Sequence, residues 1–210
     1  WRRPALLVVL TFVALSTFGG IVLKFPACTT RAIPTIDALF TSVSASCVTG
    51  LIVLDTPADF TFTGQLVILV LIQVGGLGIM TLSALATILL GRAFASAAEQ
   101  GLAEVVGAAT PGTTVRLVRA IAVSTLVIEA AGTLSLFPAF VAEGGGFPGA
   151  AWKAVFHSVS AFCNAGFALQ SDNLLSYRGN PWVLFPIGAL IVKNDSVHEL
   201  SRILGVNVTS

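Results

Sequence analysis

Ala38-Leu39-Phe40-Thr41-Ser42-Val43-Ser44-Ala45-Ser46-Cys47-Val48-Thr49-Gly50 returns 116 residues later as Ala154-Val155-Phe156-His157-Ser158-Val159-Ser160-Ala161-Phe162-Cys163-Asn164-Ala165-Gly166. Eight of the thirteen positions are identical without a gap. Compositional bias can match an alanine or a valine, but it does not put Phe, Cys and Gly together in register. Self-similarity of this kind outranks any local signal in deciding the architecture. Each copy lies between two apolar runs, so the repeating unit is span, short helix, loop, span.

Of the 210 residues, 55% are hydrophobic and 10% charged, with a mean hydropathy of +0.93. A soluble domain carries about 25% charged residues because its surface faces water. A chain this poor in charge puts much of its surface against lipid, so the bilayer is its first expected partner. A net charge of +1 with no clustered basic face excludes a nucleic-acid partner. Cys28, Cys47 and Cys163 cannot all pair with one another, and none has zinc-type spacing. The chain opens on Trp1 rather than methionine, and the true N-terminus is expected to lie upstream. Trp1-Arg2-Arg3 before an apolar run resembles a secretory leader. The run is about 20 residues long without a small-residue cleavage site, so a retained span is expected.

At about 1.5 Å of rise per residue, Pro4–Leu23 can cross a hydrocarbon core of about 30 Å. Residues 66–90, closed by Gly91-Arg92, predict a second span, and residues 120–141, preceded by Arg116 and Arg119, a third. A fourth run, 182–192, has only 11 residues before Lys193-Asn194-Asp195 and is too short to span. Residues 34–47 and 149–163 are moderately apolar, about three to four turns each, which predicts buried or re-entrant helices. Backbone that turns at membrane depth is tolerated only inside protein or along a water-filled cavity. These two segments therefore point to a pathway.

With the N-terminus inside, Arg2, Arg3, Arg92, Arg116, Arg119, Lys193 and Arg202 face the cytoplasm, and Lys24, Arg31, Lys153 and Arg178 fall outside. Seven against four agrees with the positive-inside rule. Both short helices then enter from the outer face, and like-oriented units can surround a common axis. The expected organisation is a first unit at 1–91, a cytoplasmic connector with a short helix at 92–114, a second unit at 115–192 whose last span is incomplete, and a divergent polar tail at 193–210. Glu99 and Glu104 lie in the connector, and Pro111-Gly112 marks its end. The fold class is an all-α membrane protein of tandem helix–pore-loop–helix repeats with re-entrant pore helices.

The glycines have a chemical reason. A potassium or sodium ion stripped of water needs replacement oxygens, and backbone carbonyls supply them without fixed charge. Successive carbonyls converge on one axis only if some residue leaves the right-handed regions, which glycine does at little cost. The short helix before each loop ends toward the pore, and its partial negative end favours a cation. Pro34 and Pro148 suit helix entry.

The chain resembles the Trk/Ktr/HKT superfamily of potassium, and sometimes sodium, transport proteins. The resemblance rests on Ser44-Ala45-Ser46-Cys47-Val48-Thr49-Gly50-Leu51 with Val53-Leu54-Asp55-Thr56, on Leu71-Ile72-Gln73-Val74-Gly75-Gly76-Leu77-Gly78-Ile79-Met80, and on Ser160-Ala161-Phe162-Cys163-Asn164-Ala165-Gly166-Phe167-Ala168-Leu169. It implies a pore of four such units in one chain, with one filter glycine per unit. Val48, Thr49 and Gly50 would line one quarter of the filter, and Asn164, Ala165 and Gly166 another. Gly50 favours potassium, because serine at the first such position accompanies sodium transport in the family. The resemblance also implies a multi-pass protein of the plasma or inner membrane, no cofactor, a homodimer in the intact protein, and a cytoplasmic nucleotide-binding regulatory subunit. Two departures stand out. Two of the four units are present, and Lys193-Asn194-Asp195-Ser196-Val197-His198-Glu199-Leu200 replaces the expected Gly-Gly-x-Gly-like run.

Other residues admit two readings each. Gly50 and Gly166 could be plain turn residues, but their matched setting favours the filter. Cys47 and Cys163 could suggest a metal site or a nucleophile with His157; small side chains packing the short helix is preferred. His157 stands where the first copy has Thr41, which counts against shared catalysis. Glu129, mid-span, is a functional candidate by default. Beside Ala130, Ala131 and Gly132 it equally suits a hydrogen bond to a neighbouring helix, and that structural role carries more weight. Asp37, Asp55, Asp59, Glu143 and Asp172 could concentrate cations at a pore mouth or be ordinary loop charges. Gly75-Gly76-x-Gly78 sits inside an apolar span with no preceding strand, so close helix packing is expected rather than a nucleotide loop. A non-conducting fragment or accessory membrane protein is the alternative function. A membrane hydrolase ranks low without HExxH or GxSxG, so no enzyme is expected.

Overall fold

Apolar runs that cannot expose backbone to lipid must close their hydrogen bonds within the segment, which leaves helices as the building material. The computed structural model describes residues 4–94, 111–144 and 146–195, and among them it is all-helical apart from one isolated bridge, Thr29 with Phe60. The elements are α1 (Pro4–Leu23), α2 (Thr35–Ser46), α3 (Thr56–Asp59), α4 (Phe62–Phe94), α5 (Pro111–Ala142), α6 (Phe147–Phe162) and α7 (Pro181–Asp195), with a 3₁₀ turn at Leu175–Tyr177. Residues 95–110 of the expected connector, residues 196–210 of the tail and the first three residues lie outside the described set.

The first helix ends with its apolar run at Leu23, whereas the other long helices overrun theirs. The second span reaches from Phe62 to Phe94 rather than 66–90, and the third is already helical at Pro111 rather than from 120. The last helix continues through Lys193 to Asp195 rather than stopping at 192. Hydropathy marks where lipid begins; a helix persists through polar turns whose residues have ordinary helix propensity.

Among the described residues two stretches are long and apolar enough to cross a bilayer, Phe62–Met80 with 19 residues and Val118–Ala142 with 25. Val9–Leu23 and Pro181–Lys193 are shorter apolar helices. Exposed Leu, Ile, Val and Phe side chains on α1, α4 and α5 form an outer apolar surface, as expected of an all-α membrane protein. The two short helices are the opposite case. The faces of α2 and α6 carry buried Ser42, Ser44, Ser46, His157, Ser158 and Ser160.

The repeat reappears in the packing. Ser42 Oγ on α2 donates to Ser16 O on α1 at 2.7 Å, and Ser158 Oγ on α6 donates to Glu129 O on α5 at 2.7 Å. Gly19 packs against Ser42 and Leu71, and Gly132 packs against Ser158 and Leu190. Each short helix is thus fastened to the preceding long helix by one serine hydroxyl beside one glycine.

Candidate functional site

Helix α4 serves as a ruler for both loops. At its start, Thr61 N–H donates to Cys28 O at 3.0 Å and Thr61 Oγ1 to Ala27 O at 2.6 Å, beside the entry to α2. Gln65 Oε1 accepts from Trp152 Nε1 at 2.8 Å, and the Phe62 and Trp152 rings lie 4.6 Å apart, beside the entry to α6. Both short helices therefore begin at the same end of α4. Further along, a methyl on Gly75 would lie 2.0 Å from Ser46 O, and one on Gly76 would lie 2.7 Å from Cys163 Sγ. Both short helices end against this adjacent glycine pair, about 20 Å from Phe62 at 1.5 Å per residue. Close packing is indeed what Gly75-Gly76 does.

From there each chain turns back. In the first unit Thr30 N–H donates to Asp59 O at 2.9 Å, so the chain before α2 and the chain after the loop are paired at the starting end. Arg31 Nε meets Asp59 Oδ1 at 2.7 Å, and Asp59 Oδ2 accepts from the Asp55 N–H at 2.9 Å. The hydrogen bond from Arg31 holds the Asp59 carboxyl below the usual carboxylate range. In the second unit Tyr177, after the loop, packs its ring 5.7 Å from Phe140 near the end of α5. Lys153 pairs with Glu143 at 3.0 Å. Asp59 and Glu143 are thus partnered braces rather than free mouth charges. His157 is buried, with Nδ1 2.8 Å from Lys153 O and Nε2 accepting from the Leu169 N–H at 3.4 Å. It ties the returning chain to α6.

The turns share one geometry. Cys47 caps α2; the Val48 N–H donates to Ala45 O at 3.3 Å and the Thr49 N–H to Ser44 O at 3.0 Å. Cys163 caps α6; the Asn164 N–H donates to Ala161 O at 3.1 Å and the Ala165 N–H to Ser160 O at 2.7 Å. This is the Schellman pattern, which requires a left-handed residue after the cap. Val48 (φ 55°) and Asn164 (φ 58°) fill that place, and Gly50 (φ 74°) and Gly166 (φ 71°) are left-handed two residues on. Asparagine tolerates this conformation; a β-branched valine there is a true outlier. Sequence reasoning assigned positive φ to the glycines alone. Asn164 carried a signal for it, whereas Val48 carried none.

The loops then meet. A methyl on Gly50 would lie 3.0 Å from Ala165 O and 3.3 Å from Gly166 Cα, and one on Gly166 would lie 3.1 Å from Gly50 Cα. Of the six residues singled out, Gly50, Ala165 and Gly166 are in mutual contact. Ala165 is buried, Thr49, Asn164 and Gly166 are exposed, and Val48 and Gly50 are half-buried. The anchors differ between units. Thr49 Oγ1 donates to Ser44 Oγ at 3.1 Å, whereas Ala165 has no hydroxyl and Ser160 Oγ donates instead to Phe167 O at 2.6 Å. Ser44 and Ser160 sit at matched positions of the repeat, which is the signal that could have found them.

Residues 4–193 match the family of TrkH cation transport proteins. The chain belongs to that family. It is 38% identical over 194 residues to Ktr system potassium uptake protein B of Bacillus subtilis (strain 168), covering 91% of this chain and 43% of that protein. It is 39% identical over 187 residues to the protein of the same name from Vibrio alginolyticus, covering 89% and 41%. To potassium/sodium uptake protein NtpJ of Enterococcus hirae it is 35% identical over 191 residues, covering 90% and 42%. The chain thus spans about two fifths of the length of these relatives. Membership makes it a membrane protein of a transport family, not an enzyme, and the cysteine–histidine hydrolase reading falls away.

Proposed function

We propose that this chain supplies two adjoining filter units of a potassium-translocating pore. Backbone carbonyls of Val48, Thr49 and Gly50 and of Asn164, Ala165 and Gly166 coordinate the ion. The observation that carries this reading is the meeting of the Gly50 and Gly166 bends after helices that enter from one end. Left-handed residues at alternate positions rotate successive peptide planes, which is what a column of inward carbonyls needs. The C-terminal ends of α2 and α6 add partial negative charge beside the loops. Exposed Leu51, Ile52 and Val53 on the returning strand give two further units an apolar face to close against. The names of the relatives support potassium as the transported ion, with sodium admitted; no cofactor takes part. The intact protein is proposed as a multi-pass plasma or inner membrane homodimer with a cytoplasmic nucleotide-binding regulatory subunit.

The test is Gly50→Ser and Gly166→Ser in the full-length protein, with potassium uptake and potassium-over-sodium preference as readouts. Loss of preference is expected from each; unchanged uptake and preference in both would remove the filter assignment. The alternative, a non-conducting fragment or accessory membrane protein, predicts no transport by this chain. Rescue of a potassium-uptake-deficient cell by the 210-residue chain alone would eliminate it.

A further inference from the structure

The two units are fastened alike but not backed alike. The α2 and α6 serine hydroxyls pick out Ser16 and Glu129 as equivalent positions on the long helices. Where the first unit has a serine, the second has a carboxylic acid. Glu129 is 5% exposed and lines a groove of about 560 Å³ between α4, α5 and α6. Its Oε1 is 4.0 Å from Cys163 Sγ, and the Gln73 carboxamide of α4 lines the same groove. Gln73 Nε2 is buried without a hydrogen-bond partner, and the Glu129 carboxyl is the acid group lining the same groove.

Cys163 is the cap of α6 and the residue immediately before Asn164. It is also wedged against Gly76. Whatever fixes Cys163 fixes the start of the second loop. Ala165 lacks the hydroxyl with which Thr49 grips Ser44, and Ser160 instead holds Phe167 O beyond the turn, so the start of the second loop is held differently from that of the first. A carboxyl with two acceptor oxygens can take the Cys163 thiol on one side and the Gln73 amide on the other, tying the loop to α4 and α5 together. A buried carboxyl in a membrane span is costly to keep, and the serine at the equivalent place in the first unit shows that packing alone does not demand it.

We propose that Glu129 is a positioning residue: acting through Cys163 and Gln73, it sets the placement of Asn164, Ala165 and Gly166 and thereby the cation preference of the second loop. This rests on the filter reading above.

The experiment uses the full-length protein carrying Glu129→Ala, Glu129→Gln or Cys163→Ala. Its readouts are the concentrations of potassium and sodium giving half-maximal uptake, the maximal rate, and the yield of folded protein by size exclusion. Glu129→Ala is expected to raise the half-maximal potassium concentration about three- to tenfold, the size of one lost hydrogen-bonding contact, and to narrow the potassium-over-sodium ratio. Glu129→Gln, which keeps shape and an acceptor, restores the ratio; Cys163→Ala moves it in the same direction as Glu129→Ala. A folded Glu129→Ala protein with an unchanged ratio overturns the proposal. So does a folded Cys163→Ala protein with an unchanged ratio, should Glu129→Ala not accumulate. If neither accumulates, the role is structural and the proposal fails. The Gly50→Ser and Gly166→Ser proteins separate the two ideas: if they change preference and Glu129→Ala does not, only the positioning role is lost.

Discussion

Replacing Gly75 by alanine puts the packing of the first loop to a quantitative test. In an exposed helix interior, glycine to alanine gains roughly 0.5–1 kcal/mol through backbone entropy. At Gly75 the new methyl would stand 2.0 Å from Ser46 O, 2.7 Å from Ser46 C and 3.1 Å from Ser46 Cα. A carbon and a carbonyl oxygen settle at about 3.3 Å, so α4 and the end of α2 must part by more than 1 Å. The obstacle is backbone and cannot swing aside. Overpacking of this kind costs about 1–3 kcal/mol, which outweighs the propensity gain. Gly78 is the internal control. Its methyl would meet only the Phe12 ring at 3.5 Å, an ordinary contact, so Gly78→Ala is expected to be neutral or stabilising. The assay is thermal melting of the detergent-solubilised full-length protein together with potassium uptake. Gly75→Ala should melt lower than Gly78→Ala and lose uptake, because Ser46 is two residues from Val48. If Gly75→Ala melts as high as Gly78→Ala, the α4–α2 contact does not have the closeness described.

Two further outcomes follow from the turns and the outer brace. Val48→Asn keeps the left-handed position and removes the β-branched penalty, so melting should rise by the equivalent of about 1 kcal/mol; a lower melting point would show that valine packing outweighs backbone strain. The Asp59 carboxyl titrates below its unfolded value, so its contribution is fully present above about pH 4 and is lost as pH falls through the depressed folded value. Asp59→Asn should flatten that acid limb in a melting-versus-pH series, and an unchanged limb would refute the Arg31 linkage.

The parts of the fold legible in the sequence were those with a short-range cause. The repeated Phe, Ser, Cys and Gly in register revealed two equivalent loops, and apolar length revealed the long helices. The end of the first helix at Leu23 is legible, but that of the last is not, because Lys193 and Asp195 propagate a helix that hydropathy has already abandoned. The left-handed Val48 was hidden, since nothing in a valine announces positive φ; the cap geometry imposes it. Asp59 read as a free outer charge because its partner Arg31 is 28 residues away and only the folded chain brings them together. Glu129 was recognised as costly and as suited to a helix–helix hydrogen bond, but its juxtaposition with Cys163 and Gln73 arises from three helices at once. The approach of Gly50 to Gly166 is likewise purely tertiary.

Along the chain α4 belongs to the first unit, yet its consecutive glycines touch the tips of both short helices. It is a party wall rather than the end of one house. Cutting the molecule between its repeats would strip the second loop of its footing, and any slide or tilt of this one helix reaches both loops in step. In the proposed pore, two neighbouring quarters share this one partition and so move together.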